Sequence, residues 1–126
     1  MVANERLHQI ETAYGNDAER IVLVEQDEEA LRLILFLRDG SNLRVAEQWN
    51  GSQLIRYSYY WLTSDNRLIT GWDNAAHHRH LPTYPHHKHI GQQANVQPSQ
   101  EINLDAVMAV ILRGASARLM TSKGFV

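Results

Sequence analysis

The sequence predicts an α+β fold, in which a curved antiparallel β-meander of four to five strands is flanked by an N-terminal and a C-terminal helix. Short apolar and aromatic runs separated by turn signals such as Asn50-Gly51 are typical of consecutive antiparallel strands. Apolar residues at helical spacing occur towards the two ends of the chain. With 126 residues, of which 44% are hydrophobic and 21% charged, residues 1–126 are expected to form a single domain.

The two helices are expected at residues 1–15 and 99–114, because apolar side chains recur there every three or four residues. Gly114 is expected to end the second helix. The remaining residues, 115–126, show no clear period and are predicted to be mobile. The apolar positions of the two helices are Leu7, Ile10, Tyr14, Leu104, Val107, Met108, Ile111 and Leu112.

Residues 19–90 are expected to form the sheet, which ends in a histidine-rich loop or edge strand. The predicted strands before that segment are 20–26, 30–38, 43–49, 52–62 and 67–72. If Asn50-Gly51 is a two-residue hairpin loop, Arg44 lies opposite Tyr57. That register would place one set of side chains on one sheet face and a second set on the other. The first set is Arg44, Ile55, Tyr57, Tyr59 and Trp61, and the second is Val45, Trp49, Leu54, Arg56 and Tyr60.

The most unusual stretch is HHRHLPTYPHHKHIG, residues 77–91, which contains six of the seven histidines. Its two prolines exclude a helix. No Asp or Glu occurs between Asn74 and Gln100, whereas Arg79 and Lys88 lie within this segment. Protonation of the histidines would make the segment locally cationic, which predicts an anion site. The chain as a whole has a net charge of −2, which is not typical of a strong nucleic-acid binder.

Histidine titrates near neutral pH, so two histidines can act as base and acid when RNA is cleaved through its own 2′-hydroxyl. The predicted catalytic residues are His78, His86, His87 and His89. Asp73, Asn74 and His77 are expected to support them, although Asp73-Asn74 is also typical of a turn at a strand end. Cationic and aromatic side chains are expected to hold phosphates or stack on bases. These are Lys88, Arg79, Arg44, Arg56, Tyr57, Tyr59 and Tyr84.

A metal centre is the first alternative, because His-x-His on a strand places two imidazoles on one face. The candidate ligands are His78, His80, His87 and His89. None of the well-known ligand spacings is present, so no cofactor is predicted and a transition metal remains the alternative. The second alternative is a non-enzymatic module that binds protein or nucleic acid.

The chain has no cysteine, which excludes disulfides and thiolate ligands and fits a cytoplasmic location. The N-terminus lacks a signal-peptide pattern, and the longest apolar run, 106–112, is too short to cross a membrane. No membrane association is therefore expected. The composition leaves the oligomeric state open.

Residues 71–89, GWDNAAHHRHLPTYPHHKH, resemble the signature of the TumE-like family of toxin–antitoxin proteins. The upstream segment LRVAEQWNGSQLIRYSYYW, residues 43–61, resembles the hairpin that precedes this signature. The resemblance spans residues from about 31 to about 112, and it departs from the family pattern at Ala76, where the family has proline. The matching elements are Trp72-Asp73-Asn74, His77-His78, Pro82-Thr83-Tyr84 and Pro85-His86-His87-Lys88-His89.

The resemblance implies the toxin of a prokaryotic toxin–antitoxin pair, neutralised through direct binding by an antitoxin encoded beside it. Combined with the histidine cluster, it leads to the hypothesis of an RNA-cleaving growth inhibitor that uses metal-independent acid–base chemistry. A metal-dependent hydrolase at the same cluster is the alternative.

Overall fold

The structure is a computed structural model that describes the backbone of residues 3–124 and the side chains of residues 4–114. In this part of the chain, seven consecutive strands lie between two helices. Helix α1 spans Ala3–Tyr14, and helix α2 spans Leu104–Gly124. The strands are β1 Ala18–Gln26, β2 Ala30–Leu37, β3 Asn42–Asn50, β4 Gln53–Leu62, β5 Leu68–Asp73, β6 His87–Ile90 and β7 Val96–Pro98.

The strands form one antiparallel sheet in which their spatial order is their order in the chain. The predicted α+β meander with flanking helices is therefore confirmed, but the sheet has seven strands instead of four to five. Strand β6 comes from the histidine segment, and β7 comes from the polar stretch that follows it. Such short polar strands carry no hydrophobic alternation, so only backbone pairing with a neighbouring strand identifies them.

The register of the β3–β4 hairpin differs from the predicted one. Arg44 pairs with Tyr60 and not with Tyr57, because the ladder shifts next to Trp49 and the tight turn begins at Gly51. Gly51 has a φ of 60°, the left-handed conformation that a short hairpin turn requires. The register differs from the predicted one by an odd number of residues. Tyr57 and Arg44 therefore lie on different faces of the sheet.

One face of the sheet packs against both helices and forms the hydrophobic core. Alternate residues of β2 to β5 point towards this face and meet the apolar side chains of α1 and α2. The opposite face has no helix packed on it among the described residues, and we call it the open face. The core residues include Ile10, Leu31, Leu33, Leu35, Leu43, Val45, Tyr57, Tyr59, Trp61, Trp72, Leu104, Val107, Met108 and Ile111.

Helix α2 begins later and ends later than predicted. The side chain of Asn103 accepts a hydrogen bond from the backbone N–H of Ala106 at 2.9 Å, which caps the first turn. The helix continues through Gly114 to Gly124, because a single glycine costs a helix only about 1 kcal/mol and does not by itself end it. Residues 125 and 126, the end of the segment predicted to be mobile, lie outside the described residues. Neither described helix is long and apolar enough to cross a membrane.

A buried carboxylate attaches helix α1 to the sheet. Glu47 is 3% exposed and accepts two hydrogen bonds from Arg6, at 2.7 and 3.0 Å. It also accepts hydrogen bonds from the Tyr59 hydroxyl at 2.6 Å and from Trp49 Nε1 at 3.0 Å. Burial and the adjacent carboxylate raise the pKa of Tyr59, so its hydroxyl remains a donor. These four bonds satisfy a charge that would otherwise destabilise the core.

We expect Glu47→Gln to lower the free energy of unfolding by roughly 2–4 kcal/mol, because it leaves the Arg6 guanidinium without a buried counter-charge. Urea unfolding followed by circular dichroism measures the change. The matched control is Glu25→Gln, since Glu25 pairs with Arg32 on the surface, where both side chains are more than half exposed. That substitution should change stability by less than about 0.5 kcal/mol. Equal losses for the two variants would contradict a supporting role for Glu47.

Candidate functional site

The pairing of β4, β5 and β6 brings Asp73 together with two histidines on the open face. Asp73 lies opposite Ser58 on one side and opposite His87 on the other. In the next row, Gly71 lies opposite His89. Because directly opposite residues share a face and alternate residues return to it, Asp73, His87 and His89 all point to the same side of the sheet. We call these three side chains the Asp–His centre.

Both imidazoles of the centre contact the same carboxylate. Nε2 of His87 lies 3.0 Å from Oδ1 of Asp73, and Nε2 of His89 lies 3.3 Å from Oδ2. The two rings are 5.0 Å apart and nearly perpendicular. His87 is 2% exposed and His89 is 7% exposed. The centre is therefore a compact polar cluster that is mostly withdrawn from solvent.

The other nitrogen of each ring is held by a backbone carbonyl. Nδ1 of His87 lies 2.9 Å from the carbonyl oxygen of Pro85, and Nδ1 of His89 lies 2.8 Å from that of Gln93. A carbonyl oxygen only accepts, so each Nδ1 carries a proton and donates it. The backbone N–H of Ala75 donates to Oδ1 of Asp73 at 3.0 Å. All four ring nitrogens of His87 and His89 therefore lie within 3.3 Å of an oxygen atom.

His78 lies beside the Asp–His centre. Its φ of 59° is in the left-handed region, which is uncommon for a residue with a side chain. Its ring centroid is 5.1 Å from that of His87 and 6.3 Å from that of His89. Desolvation and the neighbouring histidines lower the pKa of His78. Among the described residues, the ring nitrogens of His78 have no hydrogen-bond partner, so His78 differs from both histidines of the centre.

The remaining predicted histidines lie outside the centre. His86 stacks on Tyr57, and the Tyr57 hydroxyl lies 2.8 Å from Nδ1 of His86. Burial lowers the pKa of His86 and raises that of Tyr57, so a neutral ring accepts a hydrogen bond from a protonated phenol. His77 and His80 are exposed, and their rings are 6.3 and 6.1 Å from that of His78. The expected grouping of His86 with His87 and His89 is therefore not what the structure shows.

Lys88, a predicted phosphate-binding residue, lies on the side of the sheet opposite the two histidines that flank it. Its ammonium donates to Oε1 of Glu101 at 2.9 Å, and Trp72 Nε1 donates to the same oxygen at 3.1 Å. Burial alone would raise the pKa of Glu101, but the hydrogen bonds from Lys88 and Trp72 lower it. Lys88 thus connects β6 to the segment that precedes α2.

Of the three tyrosines predicted to stack on bases, two are buried in the core and one is exposed. Tyr57 and Tyr59 are 3% and 0% exposed in the core, so neither presents a ring to a nucleic-acid base. Tyr84 is exposed in the histidine segment, where the Arg79 guanidinium lies 6.0 Å from its ring centroid. Asn74 accepts from the Tyr57 backbone N–H at 2.9 Å, which extends β4 pairing beyond the end of β5. Asn74 therefore supports the sheet, as a strand-end residue does.

Sequence reasoning did not select Tyr60, which borders the centre. Its hydroxyl lies 3.5 Å from Oδ2 of Asp73, and its ring centroid lies 6.3 Å from that of His89. The Tyr60 ring can occupy this place only because residue 71 is glycine. A Cβ at residue 71 would lie 2.9 Å from atoms of the Tyr60 ring. The observed register places Tyr60 directly opposite Arg44, a residue that the sequence did select. Had this register been predicted, Tyr60 would have been recognised as a residue of the same face.

A groove of about 540 Å³ runs over the open face and reaches the Asp–His centre. The small side chains of Ala46 and Ser58 line it, and Arg32 and Arg56 add guanidinium groups. A neighbouring concavity, lined by Arg44, shares several of the same residues. Sequence reasoning selected Arg44 and Arg56 but missed Arg32, which became recognisable only when the pairing of β2 with β3 was known.

The fold and the site together define a small α+β protein with a partly buried Asp–His centre at one end of a groove that also carries two guanidinium groups. Comparison with known families identifies the group: the chain matches the model described as Toxin TumE over residues 7–119, most of its length. The chain therefore belongs to the TumE toxin family, and the resemblance in its histidine segment is confirmed. A toxin of this kind has an antitoxin as its expected partner. No curated protein and no solved structure matches the chain.

Gly71→Ala is expected to displace the Tyr60 ring from Asp73 and to destabilise the protein by about 1–3 kcal/mol, the usual cost of overpacking. A crystal structure or the aromatic NMR signals would report the displacement, and a thermal melt would report the cost. Gly114→Ala is the matched control, since a Cβ there meets no described atom within 4 Å. In a helix, that control should stabilise the protein by about 0.5–1 kcal/mol. An unmoved Tyr60 in the first variant would refute the role given to Gly71.

Proposed function

We propose that this toxin acts in the cytoplasm by binding RNA in the open-face groove and cleaving its phosphodiester bonds at the Asp–His centre. The observation that carries the proposal is the continuity of the groove with the centre. Exposed arginines on three neighbouring strands, Arg32 on β2, Arg44 on β3 and Arg56 on β4, lie along the surface that leads to it.

The arginines suit phosphate groups, because a guanidinium presents a planar set of donors that matches phosphate oxygens. Arg32 contacts Glu25 at 3.4 Å, whereas Arg44 and Arg56 have no carboxylate at ion-pair distance among the described residues. Two or three local cations are enough to hold a short stretch of backbone. Such local binding is compatible with a chain whose net charge is −2.

Tyr60 supplies an aromatic surface between the arginines and the centre. Its ring lies against Gly71, which leaves space for the ring to lie over the sheet. Stacking of one base on an aromatic side chain contributes about 1–3 kcal/mol without requiring a particular base. Tyr60 therefore takes the stacking role that the sequence had suggested for Tyr57 and Tyr59.

The proposed reaction is displacement at phosphorus by the 2′-hydroxyl of the same nucleotide. The 2′ oxygen bonds to phosphorus and gives up its proton, while the bond from phosphorus to the 5′ oxygen breaks and that oxygen takes up a proton. His78 is placed to contact the reacting groups, because its ring borders the groove and its nitrogens are not held by described residues.

The metal-independent form of this chemistry, with His86, His87 and His89 as acid and base, finds less support in the geometry. His86 contacts Tyr57, away from Asp73. Each ring nitrogen of His87 and His89 lies within 3.3 Å of Asp73 or of a backbone carbonyl, so neither ring can reach a substrate proton without first moving. The alternative, in which the same centre acts through a metal ion, accommodates these contacts.

Purified toxin is expected to cleave RNA, and Asp73→Asn and His78→Ala should each lower the rate by at least about 100-fold, the usual contribution of a proton-transfer or charge-stabilising group. Arg56→Ala should raise the KM about tenfold, because it removes one charged contact with phosphate. Arg113→Ala, an exposed arginine on α2, is the control and should leave both parameters unchanged. Gel electrophoresis of a labelled RNA gives the rates.

Equal cleavage by the wild type and by Asp73→Asn would indicate a contaminating nuclease and refute the proposal. Tight RNA binding without cleavage by any preparation would instead favour the non-enzymatic binding module. The antitoxin is tested separately, by co-expressing the neighbouring reading frame and measuring relief of growth arrest.

A further inference from the structure

We propose that Asp73, His87 and His89 bind one divalent transition-metal ion and leave coordination positions open towards the groove. This inference goes beyond RNA cleavage, since it rests on the atoms of the Asp–His centre and holds for whichever anionic substrate the groove accepts. One candidate ligand atom from each of the three side chains lies within 4.8 Å of the other two.

The first argument is the tautomer of the two histidines. Each Nδ1 donates to a backbone carbonyl, that of Pro85 for His87 and that of Gln93 for His89. A neutral ring in this state presents the Nε2 lone pair, the form in which histidine ligates metals. Metal-bound histidines usually donate their second nitrogen to a carbonyl or carboxylate, which fixes the ring as it is fixed here.

The second argument is electrostatic. Two Nε2 lone pairs facing the Asp73 carboxylate repel it unless a proton or a cation lies between them. The centroids of the two rings are 5.0 Å apart, and the His78 ring lies 5.1 Å from that of His87. One divalent ion between them would attract both lone pairs and the carboxylate at once.

The third argument is distance. Nitrogen and oxygen ligands lie about 2.0–2.2 Å from zinc, so ligands at tetrahedral or right angles are roughly 2.9–3.5 Å apart. The separations between Asp73 oxygens and the Nε2 atoms of His87 and His89 are 3.0 and 3.3 Å. Each of the two histidines is therefore already at ligand spacing from an oxygen of Asp73, and one ligand atom from each of the three side chains lies within 4.8 Å of the other two.

The donor set indicates the class of metal. Two imidazoles and one carboxylate suit Zn²⁺, Mn²⁺, Fe²⁺ and related ions, whereas Mg²⁺ and Ca²⁺ prefer all-oxygen surroundings. Three protein ligands leave at least one position for water or a phosphate oxygen. An ion in this position would polarise a phosphoryl oxygen arriving along the groove. The sequence suggested His78, His80, His87 and His89 as ligands. The proposed site keeps His87 and His89 and takes Asp73 as its third ligand.

The test uses full-length protein without a histidine tag, stripped with chelator and dialysed. Titration calorimetry with Zn²⁺, Mn²⁺ and Mg²⁺ gives affinity and stoichiometry, and elemental analysis after gel filtration confirms the bound metal. We expect one Zn²⁺ per chain, weaker Mn²⁺ binding and no Mg²⁺ binding at equal concentration. Wild-type protein that binds no transition metal stoichiometrically would overturn the proposal.

Paired variants separate the site from adventitious binding by a histidine-rich chain. His87→Ala with His89→Ala should weaken Zn²⁺ binding by more than about 100-fold, because loss of an outer partner alone costs about 10–100-fold. His77→Ala with His80→Ala removes the same number of histidines from the same segment and should leave the affinity unchanged. Equal losses in the two variants would show surface binding only and would overturn the proposal.

Asp73→Asn distinguishes loss of a ligand from loss of folding, since it keeps the size of the side chain. Circular dichroism verifies the fold, and Co²⁺ substitution gives a visible spectrum that reports the ligand set. The spectrum of the wild type should be altered or lost in Asp73→Asn; an unchanged spectrum would exclude Asp73 as a ligand and overturn the proposed site. Metal binding without RNA cleavage would refute the proposed substrate and leave the metal site standing.

Discussion

The pairing of β5 with β6 is the constraint on which the site depends, since it sets Asp73 opposite His87 and Gly71 opposite His89. A slip of one residue would turn both imidazoles towards the core and Lys88 onto the open face. Hydrophobic alternation does not fix this register, because β6 has the sequence HKHI. Contacts outside the strand do so: Thr83 Oγ1 donates to the His86 carbonyl and accepts from the Ser99 backbone N–H.

The two faces of the sheet differ in the kind of side chain that they carry. The face under the helices buries a continuous apolar cluster and satisfies an enclosed carboxylate, that of Glu47, with four hydrogen bonds. The open face instead carries arginines, small side chains and the Asp–His centre. Polar clusters of this kind add little to stability, so the core on the other face must supply it.

The histidine motif is therefore not one site. Strand alternation separates His87 and His89, in the centre, from His86 and Lys88, whose partners Tyr57 and Glu101 belong to the opposite side of the sheet. Part of the motif holds β6 and its flanking loops in place, and part belongs to the Asp–His centre. A residue's presence in the family signature does not by itself indicate which of these tasks it has.

The sequence by itself determined the α+β class, the meander order, the two helices and the segment that carries the site, because hydrophobic period and turn residues are local properties. Tertiary structure decided the rest. The bulge beside Trp49 reversed the expected face of Tyr57 and Tyr59, and backbone pairing alone created β7. The register between strands brings Asp73 next to His87 and His89. It also places Tyr60 and Arg32 along the groove. Register is a relation between distant segments, so no local pattern of residues specifies it.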